Sequence, residues 1–397
     1  MMHAAMLLAL ALGAGDETTA IRNGRVIPVT GPEQESATIL IRDGRIAAVG
    51  KDVEVPFDAR VIDAAGKVVM PAFVEAHTFR GMDRPNERMP SVPFVSTFDA
   101  INPLDLYFED CLRQGIATLG VVPGNDTLIG GQGCVVRPSG GTVEEMLVAR
   151  NAFLKISLKP RPGTSRMAHL AALRRELDDA SEALKEAGEK KEEPKAGAPE
   201  SRREPLYRLL RGALPAMVYC PTASDVLKAI ELSETYKFRM VLVLGRDGWK
   251  AAPEIARRKL EAVLAPDFVY WETDPDTHEE VRRVGSEALA KAGVPFALQT
   301  DGSALGSSYL WYQAAVAVRH GLPRAEALQA VTLRPARLLG LESRLGSIEK
   351  GKDATLVILT GDPLDAQTWV DQVLIEGRPV YERSKDVRLK RLLEGAR

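Results

Sequence analysis

The stretch Val-Met-Pro-Ala-Phe-Val-Glu-Ala-His-Thr-Phe, residues 69–79, decides the fold of this chain. Its apolar part, together with Val68, predicts a buried β-strand that leads directly into His77. Parallel-barrel enzymes present functional side chains in this way, at the carboxyl end of each barrel strand. Phe79 follows two residues later, and a phenyl ring has no lone pair to offer a metal. The segment therefore predicts a first barrel strand with a single imidazole, that of His77, at its carboxyl end.

Strand-like runs recur through the middle of the chain, separated by segments with helical patterning. This alternation predicts a parallel sheet, and the number of repeats predicts an α/β fold with a closed, TIM-like (β/α)8 barrel. Polar-flanked strands near both ends are expected to pair into a small composite β-sandwich, with Asn23-Gly24 and Asp43-Gly44 at hairpin turns. The predicted barrel strands are residues 68–74, 117–122, 153–158, 216–220, 240–244, 268–271 and 295–300.

With 397 residues, of which 45% are hydrophobic, the chain exceeds one average domain and can bury a large core. Residues 1–15 hold a short apolar run that ends in small residues, which predicts a signal peptide and an exported, periplasmic protein. No Lys or Arg precedes that run, so a cytoplasmic location is the alternative. The expected organisation is a signal peptide at 1–15, a composite β-sandwich domain from 16–67 and 337–383, a barrel at 68–336 with a mobile charged insertion at 185–204, and a C-terminal helix at 384–397.

The carboxyl-terminal third of the chain carries a second diagnostic series. Gln299-Thr300-Asp301-Gly302 closes an apolar run, as a last barrel strand would. It is followed by Gly321-Leu322-Pro323-Arg324 and then by Gly346-Ser347-Ile348-Glu349-Lys350-Gly351. Together with residues 69–79, this order resembles the amidohydrolase superfamily, and in detail its imidazolonepropionase-like branch, over roughly residues 20–383. The resemblance implies a metal-dependent hydrolase that acts on non-peptide carbon–nitrogen bonds of cyclic amides or related small molecules.

The resemblance also implies a zinc or iron centre. Members of the superfamily hold one or two metals with a His-x-His pair after strand one, histidines after strands five and six, and an aspartate after strand eight. The metal lowers the pKa of a bound water, which then attacks the substrate. Only His77 and Asp301 remain of this set in the present chain. The other positions are occupied by Phe79 after strand one, Tyr219 and Pro221 at strand five, and Leu244 at strand six.

The metal centre is therefore expected to be degenerate. A catalytic zinc usually takes three protein ligands. We expect no cofactor, with divalent metal weakly bound or absent, and His77 and Asp301 as vestigial catalytic residues that pair across adjacent strands. The remaining histidines have ordinary leader, helix or surface explanations: His3, His169, His278 and His320. A site rebuilt with Glu75, Tyr219, Cys220 or Glu272 is the alternative. The pocket is expected to be lined by Glu75, Phe79, Tyr219, Cys220 and Leu244.

Two other features carry weaker indications. Lys155 lies in a predicted middle strand, where some members of the superfamily use a carboxylated lysine. The run Gly130-Gly131-Gln132-Gly133 is rich in backbone donors, but no helix fingerprint follows it, so a phosphate-binding loop is not supported. A tight turn between strands is the favoured interpretation of that run.

Two classes of function stay open. A formal net charge of −2 and the lack of a continuous basic stripe argue against a nucleic-acid partner, and no apolar run is long enough for a stable membrane span. The first interpretation is the hydrolase that the resemblance implies. The second is a non-catalytic barrel that binds a small-molecule ligand, or that supports an active homologue as its partner subunit. The missing metal ligands favour the second interpretation.

Overall fold

The protein is built from two eight-stranded sheets, one separate hairpin and a layer of helices. The computed structural model describes residues 18–190, 202–301 and 308–395. The expected signal peptide at 1–15 and the centre of the expected insertion, residues 191–201, lie outside the described residues.

The strands are β1 Thr18–Val26, β2 Gln34–Arg42, β3 Arg45–Gly50, β4 Arg60–Asp63, β5 Val68–Pro71, β6 Phe73–Thr78, β7 Ile116–Val121, β8 Ile129–Val136, β9 Leu147–Ser157, β10 Ala216–Cys220, β11 Met240–Leu244, β12 Ala262–Leu264, β13 Val269–Thr273, β14 Glu280–Val284, β15 Phe296–Leu298, β16 Leu356–Leu359, β17 Val370–Ile375 and β18 Arg378–Glu382. The α-helices are α1 Leu106–Arg113, α2 Val143–Met146, α3 Arg166–Lys190, α4 Glu204–Leu210, α5 Ala223–Tyr236, α6 Ala252–Arg257, α7 Gly285–Lys291, α8 Leu310–Arg319, α9 Arg324–Gln329, α10 Leu333–Leu338 and α11 Val387–Gly395.

The central sheet forms a nearly closed barrel in the strand order β15-β12-β11-β10-β9-β8-β7-β6. Its two outer strands are joined by a side chain, because Glu75 in β6 accepts a hydrogen bond from the backbone N–H of Thr300, just beyond β15. The α/β class and the barrel-like sheet agree with the prediction. The sheet is not fully parallel, however, since β8 pairs antiparallel with both β7 and β9.

The antiparallel strand β8 corrects the interpretation of the glycine-rich run. Residues 130–133 were expected to form a tight turn, but they lie inside β8, and every residue of that strand is buried. The glycines are required by close packing: a Cβ on Gly131, where φ is +101°, would lie 2.5 Å from the side chain of Val95. A Cβ on Gly133 would likewise lie 2.7 Å from Val122. Small residues therefore mark a close approach between chain segments here, and not a turn.

The seventh barrel strand is β12, so the prediction of residues 268–271 for this position was wrong. Those residues fall almost entirely in β13, which pairs only with β14 as a two-stranded antiparallel hairpin. Trp271 in this hairpin is 60% exposed, whereas all three residues of β12 are buried. Aromatic and β-branched residues made the hairpin strand the stronger local signal, and a three-residue strand is too short for periodicity to reveal.

The terminal segments share the second sheet, in the order β18-β17-β16-β5-β1-β2-β3 with β4 beside β1. The predicted strand 68–74 is divided between the two sheets, because β5 ends at Pro71 and β6 begins at Phe73. Asp43-Gly44 forms the expected hairpin turn, with φ values of 49° and 73°. Asn23-Gly24 does not: it lies within β1 at a register shift, so it makes a bulge.

The C-terminal helix α11 is tied to the fold through Asp386. The Asp386 carboxylate accepts hydrogen bonds from Arg113 at 2.7 Å, from the Tyr381 hydroxyl at 3.1 Å and from the backbone N–H of Leu389 at 2.9 Å. Its side chain is only 4% exposed. The other apolar residues of the helix, by contrast, are exposed: Val387, Leu392 and Leu393. Among the described residues, we find no helix whose length and apolar character would allow it to cross a membrane.

We expect the Asp386–Arg113 contact to make stability depend on pH in the acid range. The hydrogen bonds from Arg113 lower the pKa of Asp386 from 3.8 to about 2. The carboxylate therefore contributes stability above pH ~4 that is lost as the pH falls towards ~2, worth about 2 kcal/mol. Asp386→Asn should lower the free energy of unfolding by about this amount at pH 7, measured by urea denaturation. Asp52→Asn, at an exposed position, is the control and should be neutral; equal stability of both variants would contradict the prediction.

Candidate functional site

A chain of three buried polar side chains lies inside the barrel. His77 stands near the end of β6, Asp301 follows β15, and Lys155 projects from β9. The Lys155 Nζ atom lies 2.6 Å from Nε2 of His77, and Nδ1 of His77 lies 3.2 Å from Oδ2 of Asp301. The second contact is close but not aligned as a hydrogen bond, since Nδ1 has no such partner among the described residues. His77 and Asp301 therefore lie close together, as expected for residues at the ends of neighbouring first and last barrel strands.

Asp301 is held in place by the end of the first barrel strand. Its Oδ1 atom accepts a hydrogen bond from the Thr78 hydroxyl at 2.8 Å, and its Oδ2 atom accepts one from the backbone N–H of Phe79 at 3.2 Å. The Tyr107 hydroxyl in turn donates to Thr78 at 3.3 Å. A register shift between residues 75 and 78 interrupts the alternation of β6, which lets His77 and Thr78 both reach Asp301. The carboxylate therefore has a fixed orientation.

Glu75 links the first and last barrel strands, and both of its oxygens are already engaged, so it is not available as a metal ligand. Its Oε1 atom accepts a hydrogen bond from the backbone N–H of His77 at 3.2 Å, and its Oε2 atom accepts one from Thr300 at 2.8 Å. The side chain is fully buried. Burial, followed by the charge of Asp301, raises the pKa of Glu75 well above its ordinary value. Burial therefore favours the neutral form of this carboxyl group, and its hydrogen bond from Thr300 joins the first and last barrel strands.

Burial also shifts the pKa of the two basic groups in the site. It lowers the pKa of Lys155 from 10.5 to about 7, because the ammonium loses its hydration inside the barrel. Burial, and next the charge of Lys155, lowers the pKa of His77. The imidazole is consequently neutral near pH 7, while the lysine amine is close to its midpoint of ionisation. Such an amine can donate a hydrogen bond, accept a proton or attack a carbonyl carbon.

The unmodified side chains of the site do not fit a divalent metal. A catalytic zinc usually needs three protein ligands, and the described ranges contain no group of three or more His, Cys, Asp and Glu side chains placed to bind one. The Nε2 atom of His77 faces the Lys155 amine, and both oxygens of Asp301 are already engaged. The structure therefore brings His77 and Asp301 together, as the sequence predicts, but the Lys155 amine occupies the position beside the imidazole where a metal would bind.

The other residues predicted to line the pocket separate into two groups. Tyr219 lies on the inner face of the barrel, with its ring centroid 5.7 Å from Lys155 Nζ. Cys220 and Leu244 are register partners on the opposite face, where they pack with the helices of the outer layer. The structure thus does not bring these two residues to the pocket. Burial raises the pKa of the Cys220 thiol, which therefore stays protonated. Glu272 lies in the hairpin, 2.5 Å from Lys250.

Sequence reasoning underestimated Lys155 and missed Thr78 and Tyr107. The signal for Lys155 was present, because a lysine in the apolar run Phe153-Leu154-Lys155-Ile156 must be buried if the run is a central strand. Thr78 and Tyr107 had no such signal. Their roles depend on a register shift in β6 and on the position of α1, which brings the Tyr107 hydroxyl to Thr78, and neither leaves a local pattern in the sequence.

Comparison with known proteins gives a consistent picture. A family model described as "Amidohydrolase family" matches residues 161–380. The amidohydrolase TasK of Hapsidospora irregularis is 24% identical over 437 residues, covering 94% of this chain but only 44% of that longer protein. The imidazolonepropionase of Maricaulis maris is 26% identical, covering 87% of this chain and 92% of its own length. The crystal structure of an amidohydrolase from Thermotoga maritima is 30% identical, covers 92% of this chain and 100% of its own, and superposes with a TM-score of 0.84.

Proposed function

This chain belongs to the amidohydrolase family, and we propose that it is a member in which a buried lysine has replaced the metal, so that the barrel binds a small molecule without metal-dependent hydrolysis. The observation that carries the proposal is the 2.6 Å contact between Lys155 Nζ and His77 Nε2. It places a basic nitrogen against the imidazole atom that a metal would need. Among the described residues, no side-chain carboxylate lies within ion-pair distance of Lys155. The charge of Asp301 nevertheless raises the pKa of Lys155 and so favours its protonated form.

The proposal gives each residue of the site a role. Protonated Lys155 supplies positive charge in the barrel and a hydrogen-bond donor. His77 holds the lysine amine, and Asp301 balances the charge of the lysine and is itself held by Thr78. A carbonyl oxygen of a cyclic amide, the ligand class suggested by the family, would suit an ammonium donor in a site of low dielectric.

Two alternatives keep support from specific observations. Hydrolysis of non-peptide carbon–nitrogen bonds is favoured by the similarity to the Thermotoga maritima amidohydrolase over 92% of this chain. A non-catalytic role as partner subunit of an active homologue is supported by Phe79 and Leu244, which stand where the family carries metal-binding histidines. We also propose that the terminal sheet folds as a small β-sandwich and that the protein is exported, as the apolar run at 1–15 suggests.

Metal analysis tests the proposal directly. We expect protein purified without chelators to contain well under one zinc, iron or manganese per chain, because the unmodified donor set falls short of the three ligands that a catalytic zinc needs. Elemental analysis by mass spectrometry measures the metal content, and hydrolysis of cyclic amides with and without added zinc measures activity. We expect no hydrolysis above the buffer rate in either case.

Phe79→His provides a demanding second variant. It restores the His-x-His pair of the family, but strands five and six still lack ligands, so we expect neither metal binding nor hydrolysis to return. If the parent protein holds about one metal per chain tightly and Asp301→Ala loses it, the proposal is wrong. That result would instead support a metal centre rebuilt from other ligands. A carboxylated Lys155 would be the first candidate for the missing ligand, and intact-protein mass spectrometry would reveal the added carbon dioxide.

A further inference from the structure

The C-terminal helix α11 leaves part of its apolar side uncovered. Leu389 is partly buried and lines a cavity of about 460 Å³ between the outer helices and the terminal sheet. Leu392 and Leu393 follow three and four positions later, so they lie on the same side of the helix, yet they are 68% and 49% exposed. The body of the protein therefore does not extend beneath the last turn of α11, and two leucines stand exposed one helical turn from the cavity.

The cavity itself is largely apolar. Its lining includes the buried side chains of Phe73 and Leu359 and the exposed ones of Tyr309 and Ala366. An apolar concavity of this kind can take up an aliphatic side chain of another molecule and remove it from water. None of the lining residues belongs to the site inside the barrel.

The exposed surface of α11 is basic. Arg388, Lys390 and Arg391 lie in the helix together with one acidic residue, Glu394. Arg388 lies 3.3 Å from Glu109, and Lys390 lies 3.9 Å from Glu394. Exposed ion pairs of this kind contribute little to stability and can be exchanged for others. Arg391 is exposed and, within the described part of the chain, has no ion-pair partner.

The lining of the cavity carries the opposite charge. Asp365 is exposed and makes no ion pair with any residue that the structure describes. Asp110 is 52% exposed. Arg113, the basic residue of the lining, is already engaged by three carboxylates: Glu109, Asp110 and Asp386. Arg383 lies outside the lining, with its guanidinium 4.2 Å from the ring centroid of Trp369. The cavity therefore has an acidic rim beside a basic helix.

We propose that two copies of this chain form a symmetric dimer, in which Leu392 and Leu393 of each copy pack into the cavity of the other. A protruding apolar segment next to an apolar concavity, and a basic helix next to an acidic rim, make one surface complementary to itself, as a two-fold interface requires. The acidic rim also selects a second copy over an anionic membrane, because it would face lipids of its own charge. This surface is separate from the function proposed for the barrel interior.

Sedimentation velocity of the full chain over a series of concentrations tests the proposal. We expect a dimer whose population rises with concentration. The double variant Leu392→Ser with Leu393→Ser should weaken dimerisation at least tenfold, because the two side chains no longer gain apolar burial in the other copy. Leu104→Ser is the matched control, since Leu104 is another leucine with 83% exposure outside this surface, and it should dimerise as the parent protein does.

Two further sets of variants test the cavity and the charges. Ala366→Trp fills the cavity and should weaken dimerisation at least tenfold, whereas Gln367→Trp, at an exposed position outside the lining, should have no effect. Arg391→Glu and Asp365→Arg should each weaken dimerisation several-fold. Their combination should restore it, because the attraction between the helix and the rim is regained with the signs exchanged. All of these positions are exposed, so the melting temperature of the monomer should not change.

The proposal is overturned by a parent protein that stays monomeric at every concentration, or by a dimer that both the double leucine variant and Ala366→Trp leave intact. Failure of the combined charge variant to recover any association would also contradict it. Binding of a monomeric parent protein to vesicles of phosphatidylglycerol, lost in the double leucine variant, would assign the exposed leucines to a membrane surface and overturn the dimer.

Discussion

Lys155→Met is expected to raise the free energy of unfolding by roughly 1–3 kcal/mol at pH 7, because it replaces a buried ionisable group with an apolar one of similar length. Burial lowers the pKa of Lys155 to about 7, so the unfolded chain, where a lysine has a pKa of about 10.4, binds this proton more tightly than the folded chain does. The free energy of unfolding of the parent protein should therefore increase as the pH rises from about 7 to about 10. That increase should be absent in Lys155→Met.

Urea denaturation at several pH values between 6.5 and 10 measures both effects. Lys159→Met is the matched control, because Lys159 is 48% exposed and its ion pair with Asp126 lies at the surface. We expect this control to change stability by less than about 0.5 kcal/mol. A stabilised Lys155→Met would mean that the lysine is kept for function at a cost in stability. A strongly destabilised variant, with the pH dependence of the parent protein, would show that Lys155 has a purely structural role.

Asp301→Ala is expected to have the opposite effect, a loss of roughly 3–5 kcal/mol. The substitution leaves the Thr78 hydroxyl and the Phe79 N–H without their acceptor, and it removes the negative charge that favours protonated Lys155. Asp301→Asn keeps one oxygen acceptor and should lose less. Asp276→Ala, at an exposed position in the β13–β14 hairpin, is the control and should be neutral.

The double variant Asp301→Ala with Lys155→Met tests whether the two residues act together. Because Asp301 favours the protonated form of Lys155, we expect Lys155→Met to stabilise the Asp301→Ala protein more than it stabilises the parent protein, so that the single effects do not add. Denaturation curves of the four proteins give the coupling energy. Strict additivity, or a neutral Asp301→Ala, would be incompatible with the charge balance proposed for the site.

The sequence by itself was sufficient for the α/β class, the family and two members of the site. Strand ends, turn residues and the apolar runs that precede His77 and Asp301 are local features, and each can be recognised within about ten residues. The contact between these two residues also followed, because the first and last strands of a barrel are neighbours. The terminal segments were likewise expected to meet, and they share one sheet.

Only the tertiary structure determines which side chains face the barrel interior, because that depends on strand register. Contacts between side chains on opposite walls of the barrel also become visible only there. Whether Tyr219 or Cys220 faces inward is set by the pairing of β10 with its neighbours, and a shift of one residue would exchange the two. The contact of Lys155 with His77 joins strands that are not neighbours in the sheet. It exists because closure of the sheet brings opposite walls within the length of a lysine side chain, and the geometry of closure leaves no trace in any single segment of the sequence.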